Sequence, residues 1–508
     1  MTDKRPNILF ILTDQQRKDT LSAYGNLPVA TPNLDALADS SLTFDNAYAV
    51  CPICTPARAS MQTGLYPMHH GMLTNSYNYG TMVQELPDTP ELLSRRLENA
   101  GYQIGYTGKW HLGTGADAVR NDAYIQQYMG DIRFAELALD ARSVPTTVGY
   151  QGDDFPGHGF GGYIYDELKE YVAGLGKETK IEHIISGNYT SHQAGEITSG
   201  LDTTIEHFLV ERTKKWLTDF KEQPEPWYFQ LNFWGPHEPY YAPTEFLDRY
   251  RELPIEPWAN YAGDSDNKPR IHDVKRANNT DWEEFVPYIR HYYANMSHID
   301  YQIGRLIDFL KENDLYDDTL IIFSSDHGES LGIHNGLCDK AIFMYEEITS
   351  VPLLVKLPAE TTAGDSSVQS QPQRIAEFVQ TCDLYSTILN AAGLPDETVS
   401  RDGRSLLPLI ENGPQAANWR DCVVTECSGI GAVLFSQRAL RWQDWKYVFN
   451  AGDIDELYDL AADPGELRNL VEEAAYRETL ESLRQKLEDW MEAHHDNLIF
   501  EYRYLRRR

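Results

Sequence analysis

Residues 7–13, Asn-Ile-Leu-Phe-Ile-Leu-Thr, form an unbroken apolar run that stops at Asp14. A strand with water on one face alternates apolar and polar side chains. A run with no polar face belongs to a strand covered on both sides, as in the largely parallel sheets of α/β proteins. Trp227 to Trp234, Thr319 to Ser325 and Val351 to Leu357 have the same texture, and helical stretches such as 203–221 and 291–312 separate them. This alternation predicts a layered α/β fold in which ligands collect at the strand ends. Thr31-Pro32 and Thr89-Pro90 each read as a helix start, with threonine at the cap and proline first in the helix, the second helix ending near Gly101.

Between about 113 and 200 the pattern loosens into Gly-, Tyr- and Asp-rich sequence that includes Gly157-His158-Gly159-Phe160-Gly161-Gly162. That cluster lacks the Lys-Ser/Thr ending of a phosphate loop and reads instead as a substrate-facing insertion. After Asp402-Gly403-Arg404 the texture changes to short strand candidates at 432–436 and 445–450 and a helix near 474–494. The expected division is a catalytic domain over 1–414 and a smaller α+β subdomain over 415–508.

Hydrophobic residues make up 42% of the 508-residue chain, and no apolar run approaches the length of a membrane span. The expectation is a soluble protein without membrane or nucleic-acid partners, because a formal net charge of −33 repels polyanions. An anionic substrate then needs a basic pocket sunk in an acidic surface. The N-terminal Met-Thr-Asp-Lys-Arg-Pro leads directly into the first strand, so the expected location is the cytoplasm, or the periplasm if a signal peptide has been removed. Six cysteines, four of them scattered, are too few for a disulfide scaffold.

Residues 54–64 read Cys-Thr-Pro-Ala-Arg-Ala-Ser-Met-Gln-Thr-Gly. Pro56 suits the first turn of a helix, which puts Cys54 at a helix N-terminus where backbone N–H groups favour negative charge. Arg58 follows one turn on, a cation that does not titrate. Cys51 and Cys54 also form a Cys-x-x-Cys, which by itself fits a redox pair, half a zinc site or a buried structural cysteine.

The 54–64 string resembles the signature of the type I sulfatases of the alkaline phosphatase superfamily. The resemblance implies that a maturation enzyme oxidises Cys54 to formylglycine and that the hydrated aldehyde is the nucleophile. Gly101 to Leu112, with Gly108-Lys109-Trp110-His111, looks like the second sulfatase signature; on a strand Lys109 and His111 would share a face. Asp14-Gln15 and Asp326-His327 end two apolar runs and are similar to the family's metal pairs, departing from the commoner Asp-Asp and Asp-Asn versions. With Cys54 they imply one divalent cation, calcium first, manganese or magnesium as alternatives. His237, after Trp234-Gly235-Pro236, and Lys340 resemble the residues on the leaving-group side.

By the same resemblance, one hydroxyl of the hydrated aldehyde attacks sulfur while Lys109, Lys340 and the cation hold the sulfate oxygens. His237 and Lys340 protonate the leaving oxygen, and His111 takes the proton of the second hydroxyl. The implied fold is a large sheet sandwiched by helices. The implied substrate is a sulfate ester, a sulfated carbohydrate before an aryl sulfate, with Tyr240-Tyr241 and aromatics of 145–200 as stacking surfaces. A phosphonate monoester hydrolase or phosphodiesterase of the same superfamily is the rival, since such enzymes resemble this chain in Asp-Gln and Asp-His and differ at Lys109 and His111. A metal-binding scaffold that keeps Cys54 as a thiol is the non-catalytic alternative.

Overall fold

The structure, a computed structural model, describes residues 5–25, 27–76, 81–114, 143–187, 193–263, 267–277, 280–359, 373–394, 401–416, 418–431 and 433–506. Its strands are β1 (Asn7–Asp14), β2 (Leu42–Tyr48), β3 (Gln103–Gly108), β4 (Gln151–Gly152), β5 (Ile181–Ser186), β6 (Gln193–Ile197), β7 (Trp227–Pro236), β8 (Tyr240–Pro243), β9 (Thr319–Ser325), β10 (Leu353–Lys356) and β11 (Gln373–Gln380). Four more follow near the C-terminus: β12 (Cys422–Cys427), β13 (Gln437–Trp442), β14 (Trp445–Asn450) and β15 (Glu456–Asp459). The large sheet has the order β11-β2-β10-β9-β1-β7-β3-β4. Only β10 runs antiparallel to its neighbours β9 and β2, so the sheet is mixed but mainly parallel.

β1 lies near the centre of the sheet, and its residues point alternately into two cores. Leu9 and Ile11 join one cluster with β7, β9 and the helices α2 (Ile205–Lys221) and α3 (Val286–Glu312). Ile8, Phe10 and Leu12 join the other with residues of α1 (Cys54–Thr63) and α4 (Asp383–Ala391). The unbroken apolar run follows from this double covering, which requires both alternating faces to be apolar. The sandwich expected from the sequence is therefore present.

Two local expectations shift. The helix after Thr89-Pro90 begins at Leu93 instead, because the Leu92 N–H closes a separate turn on the Thr89 carbonyl before the helix starts. The candidate strand at 432–436 lies at 437–442, within an antiparallel sheet β12-β13-β14-β15 that also contains Cys422–Cys427. Helix α5 (Arg477–Ala493) covers that sheet through Leu480, Leu483 and Leu487. Among the described residues no helix is long and apolar enough to cross a membrane.

Candidate active site

Three adjacent parallel strands deliver the first groups. Thr13 of β1 pairs with Ser325 of β9, and Asp14 pairs with Pro236 of β7, so Asp14, Asp326 and His237 emerge at one level. The His237 N–H donates to the Asp14 carbonyl at 3.1 Å. The chain turns sharply just beyond β1, where Gln15 adopts φ 64°. Such strand ends turn local sequence into three-dimensional proximity without long loops.

Helix α1 opposes these strand ends, starting at Cys54 with every residue buried. Its first residue therefore presents a thiol at the positive end of a helix. Cys54 Sγ lies 3.2 Å from His327 Nε2, 3.7 Å from Asp14 Oδ1 and 3.8 Å from Lys109 Nζ. Arg58, one turn on, ties the acids together: Nε meets Asp326 Oδ2 at 2.8 Å and Nη2 meets Asp14 Oδ2 at 3.2 Å. Its Nη1 donates to the Lys109 carbonyl at 2.9 Å. Both carboxylates are fully buried, and Lys109 also contacts Asp14 directly. Burial alone would raise the Asp14 carboxyl, but Lys109, Arg58 and Lys340 hold it far below the usual carboxylate range.

Cys51 stands apart from this centre. Its thiol is pushed well up by burial and by the nearby Cys427 and Glu426, on the side of the C-terminal sheet, and all the cysteines are free. A redox pair with Cys54 has no support in this arrangement.

Lys109 and His111 reach the site from a different backbone than expected. β3 ends at Gly108, whose φ of 100° and 1.8 Å separation between a built Cβ and the Asn232 carbonyl oxygen admit only glycine. Lys109 and His111 lie in the turn beyond, His111 itself at φ 53°. Thr55 Oγ1 donates to the His111 carbonyl at 2.7 Å, which pins this turn against the start of α1.

The cluster Asp14, Cys54, Asp326 and His327 offers ligand atoms that all lie within 4.8 Å of one another. The Cys54 sulfur here stands in for whatever oxygen a modified residue 54 would present. Two carboxylates and one imidazole, all buried, suit a hard or borderline divalent ion. Gln15 is turned to other partners: its Oε1 accepts from Lys340, and its Nε2 donates to Glu329 and, at 3.2 Å, to Asp339. The amide thus lies between a cation and two carboxylates. Lys340 is buried and held protonated: burial opposes the charge, and Cys54, Asp339 and Asp14 outweigh it.

Sequence reasoning missed Glu329, Asp339 and His158. Glu329 is fully buried and accepts from Tyr240 Oη at 3.1 Å, so Tyr240 is a core residue and no stacking surface. Glu329 directly follows Asp326-His327-Gly328, a signal that was readable. His158, from the glycine cluster, stands between His111 and His237, with ring centroids 4.9 Å and 4.8 Å away. Burial first, then the positive lysines 109 and 340, push His158 and His237 well below the ordinary imidazole value, and burial and Lys109 do so for His111. The rest of the expected insertion, 115–142 and 188–192, lies outside the described residues.

A buried cysteine at a helix start, ringed by acids, lysines and imidazoles above a mainly parallel sheet, matches what known proteins show. Residues 6–394 match the sulfatase family model, and 332–493 match that of the C-terminal region of N-sulphoglucosamine sulphohydrolase. The chain belongs to the sulfatase family and is a sulfuric ester hydrolase. It is 28% identical to an N-acetylglucosamine-6-O-sulfatase of Bacteroides thetaiotaomicron, over 97% of this chain and 88% of that one. It is 27% identical to the uncharacterized sulfatase YidJ of Escherichia coli, over 96% and 88%. A phosphonate monoester hydrolase structure from Agrobacterium radiobacter superposes with a TM-score of 0.76 at 25% identity, covering 96% of each chain.

Proposed function

We propose that the enzyme cleaves sulfate esters of carbohydrates, with Cys54 matured to formylglycine and one divalent cation held by Asp14, Asp326, His327 and residue 54. The convergence of Cys54 Sγ with Asp14, His327 and Lys109 within 3.8 Å carries the reading. When bound, the cation supplies positive charge that polarises the ester and favours an ionised nucleophile. Calcium suits the carboxylates; the imidazole also admits manganese, and magnesium is the third choice. The sulfated-sugar preference is supported by the N-acetylglucosamine-6-O-sulfatase relative and by the sulphoglucosamine-type C-terminal match.

The chain's own groups divide the work. Arg58 holds both acids in place, and Lys109 and Lys340 meet the sulfate oxygens. Lys340 holds a proton and delivers it to the leaving oxygen. Neutral His111 takes the proton of the second hydroxyl of the hydrated aldehyde, and neutral His237 flanks the leaving-group side, its ring held by the Glu238 carbonyl and His158. Residues 415–508 form a supporting subdomain in this scheme.

Phosphonate monoester hydrolysis is the second reading, favoured by the Agrobacterium structure and by the Asp-Gln and Asp-His pairs. The test compares kcat/KM for sulfated monosaccharides, an aryl sulfate and a matched aryl phosphonate monoester. Preference for sulfate esters, with a sulfated sugar foremost, is the expected result. A dominant phosphonate activity would favour the second reading.

A further inference from the structure

The three imidazoles constrain one another's protons, and the constraint ends on an atom with no partner. His237 Nδ1 lies 2.7 Å from the Glu238 carbonyl oxygen, which can only accept, so Nδ1 carries the proton. In a neutral ring that leaves Nε2 as an acceptor. His158 Nε2 lies 3.4 Å from it and must donate, so the His158 proton is on Nε2 and its Nδ1 is a lone pair. That Nδ1 is buried with no hydrogen-bond partner, on a residue 8% exposed. The ring is held as well: the His158 carbonyl accepts from Trp234 Nε1 at 2.8 Å, and Phe160 packs against the imidazole at 5.4 Å. Desolvating an acceptor without satisfying it is unfavourable, and such atoms in a site are commonly completed by the ligand.

We infer that His158 is a specificity-determining residue whose Nδ1 accepts a hydrogen bond from a hydroxyl or N–H of the alcohol being released, close to the ester oxygen. Its position bears this out: it stands between His111 and His237, within electrostatic reach of both Lys109 and Lys340. The substrate class is a monosulfate of a polyol or amino-alcohol, as in a sugar ring, rather than a sulfate whose alcohol has no second donor. The inference rests on reading Cys54, Lys109 and Lys340 as a sulfate-ester site.

Two variants separate the ring's two nitrogens. A glutamine side chain reaches the Nε2 position and keeps a donor for His237, while losing the Nδ1 acceptor. An asparagine reaches the Nδ1 position and keeps an acceptor there. Wild type, His158→Gln and His158→Asn are assayed on 2-hydroxyphenyl sulfate against phenyl sulfate, and on a ring-sulfated monosaccharide against its deoxy counterpart lacking the neighbouring hydroxyl. In His158→Gln the hydroxylated-to-plain ratio of kcat/KM should fall about tenfold, the loss of one neutral hydrogen bond, in whichever pair is turned over. In His158→Asn the ratio should stay close to wild type. Equal losses on both members of a pair in His158→Gln would overturn the inference and leave His158 as packing or as a support for His237. Turnover of the aryl pair but of no sugar would contradict the carbohydrate reading, with the aryl ratio still deciding the role of His158.

Discussion

Both the strand ends of the large sheet and the C-terminal sheet bury lysine, arginine and carboxylate together, yet they close their charges differently. Under the C-terminal sheet, Lys446 sits between Glu346 at 2.8 Å and Glu466 at 2.7 Å, and Arg438 meets Asp496 at 2.6 Å. Arg441 and Tyr48 complete Glu346, whose carboxyl burial would raise but Lys446 and Arg441 hold at about 2. Each ion there answers another ion. Around Cys54, by contrast, one carboxylate, Asp14, is shared by Arg58 and Lys109 and also faces a thiol, while three neutral imidazoles stand alongside. Buried ion pairs alone therefore do not set one region apart; their convergence on a cysteine at the strand ends does. Charge removal in the first region should cost stability, and in the second it should cost chemistry.

The largest expected effect is that of Cys54→Ala. It should fold with an unchanged circular dichroism spectrum and lose sulfate-ester turnover by on the order of 10⁴-fold or more, as loss of a nucleophile does. Cys51→Ser, whose thiol packs towards the C-terminal sheet, should retain activity; comparable loss there would revive a redox pairing. Asp326→Ala comes next, expected to abolish turnover together with bound metal, read by elemental analysis of the purified protein. Full occupancy in that variant would place the ion elsewhere.

Lys109→Ala should lower sulfate-ester kcat/KM by about 10² or more, the scale of one preorganised charge-stabilising donor. A phosphonate monoester should suffer less, because by the resemblance drawn from the sequence Lys109 and His111 belong to the sulfatase signature. An unchanged sulfate-to-phosphonate ratio would count against the assigned role.

The contrast is sharpened by Lys446→Met, which should have the smallest effect on chemistry. It leaves buried Glu466 without its cation and Glu346 with Arg441 alone, at a cost of about 3 kcal/mol in unfolding free energy. Glu466, already raised to about 7 by burial, should rise further. A carboxyl with a raised folded-state pKa holds a proton that the unfolded chain releases above about pH 4.3, so the deficit should grow with pH and be milder at pH 5 than at pH 8. KM of the folded enzyme should be unaffected. A KM change as large as the stability change would erase the distinction between the two regions.

Much of this arrangement was legible in the sequence because each motif is local and ends an element. The double-sided apolar runs gave β1, β7 and β9 within a residue or two, and Asp14, Asp326 and His237 follow directly from where those runs stop. Cys54 and Arg58 are one helical turn apart, so their alignment needs no tertiary information. The failures are tertiary. Nothing in Gly108-Lys109-Trp110-His111 tells that the strand ends at Gly108; the close approach of the Asn232 carbonyl decides it. His158 sits in a glycine-rich stretch without periodicity, and only the folding of that stretch against β7 brings it to His237. Gln15 stands as a candidate ligand beside Asp14, and what the sequence does not tell is that Lys340 and Glu329, more than 300 residues away in the chain, meet its amide.

The most direct measurement is the mass of the proteolytic peptide containing residue 54, taken from enzyme of known specific activity on a sulfate ester. The expected result is the lower mass of a side chain whose –CH2SH has become –CHO, with activity proportional to the converted fraction and lost on capping with a hydrazide. Full sulfate-ester activity in protein whose residue 54 is entirely an unmodified thiol would contradict the nucleophile assigned to Cys54.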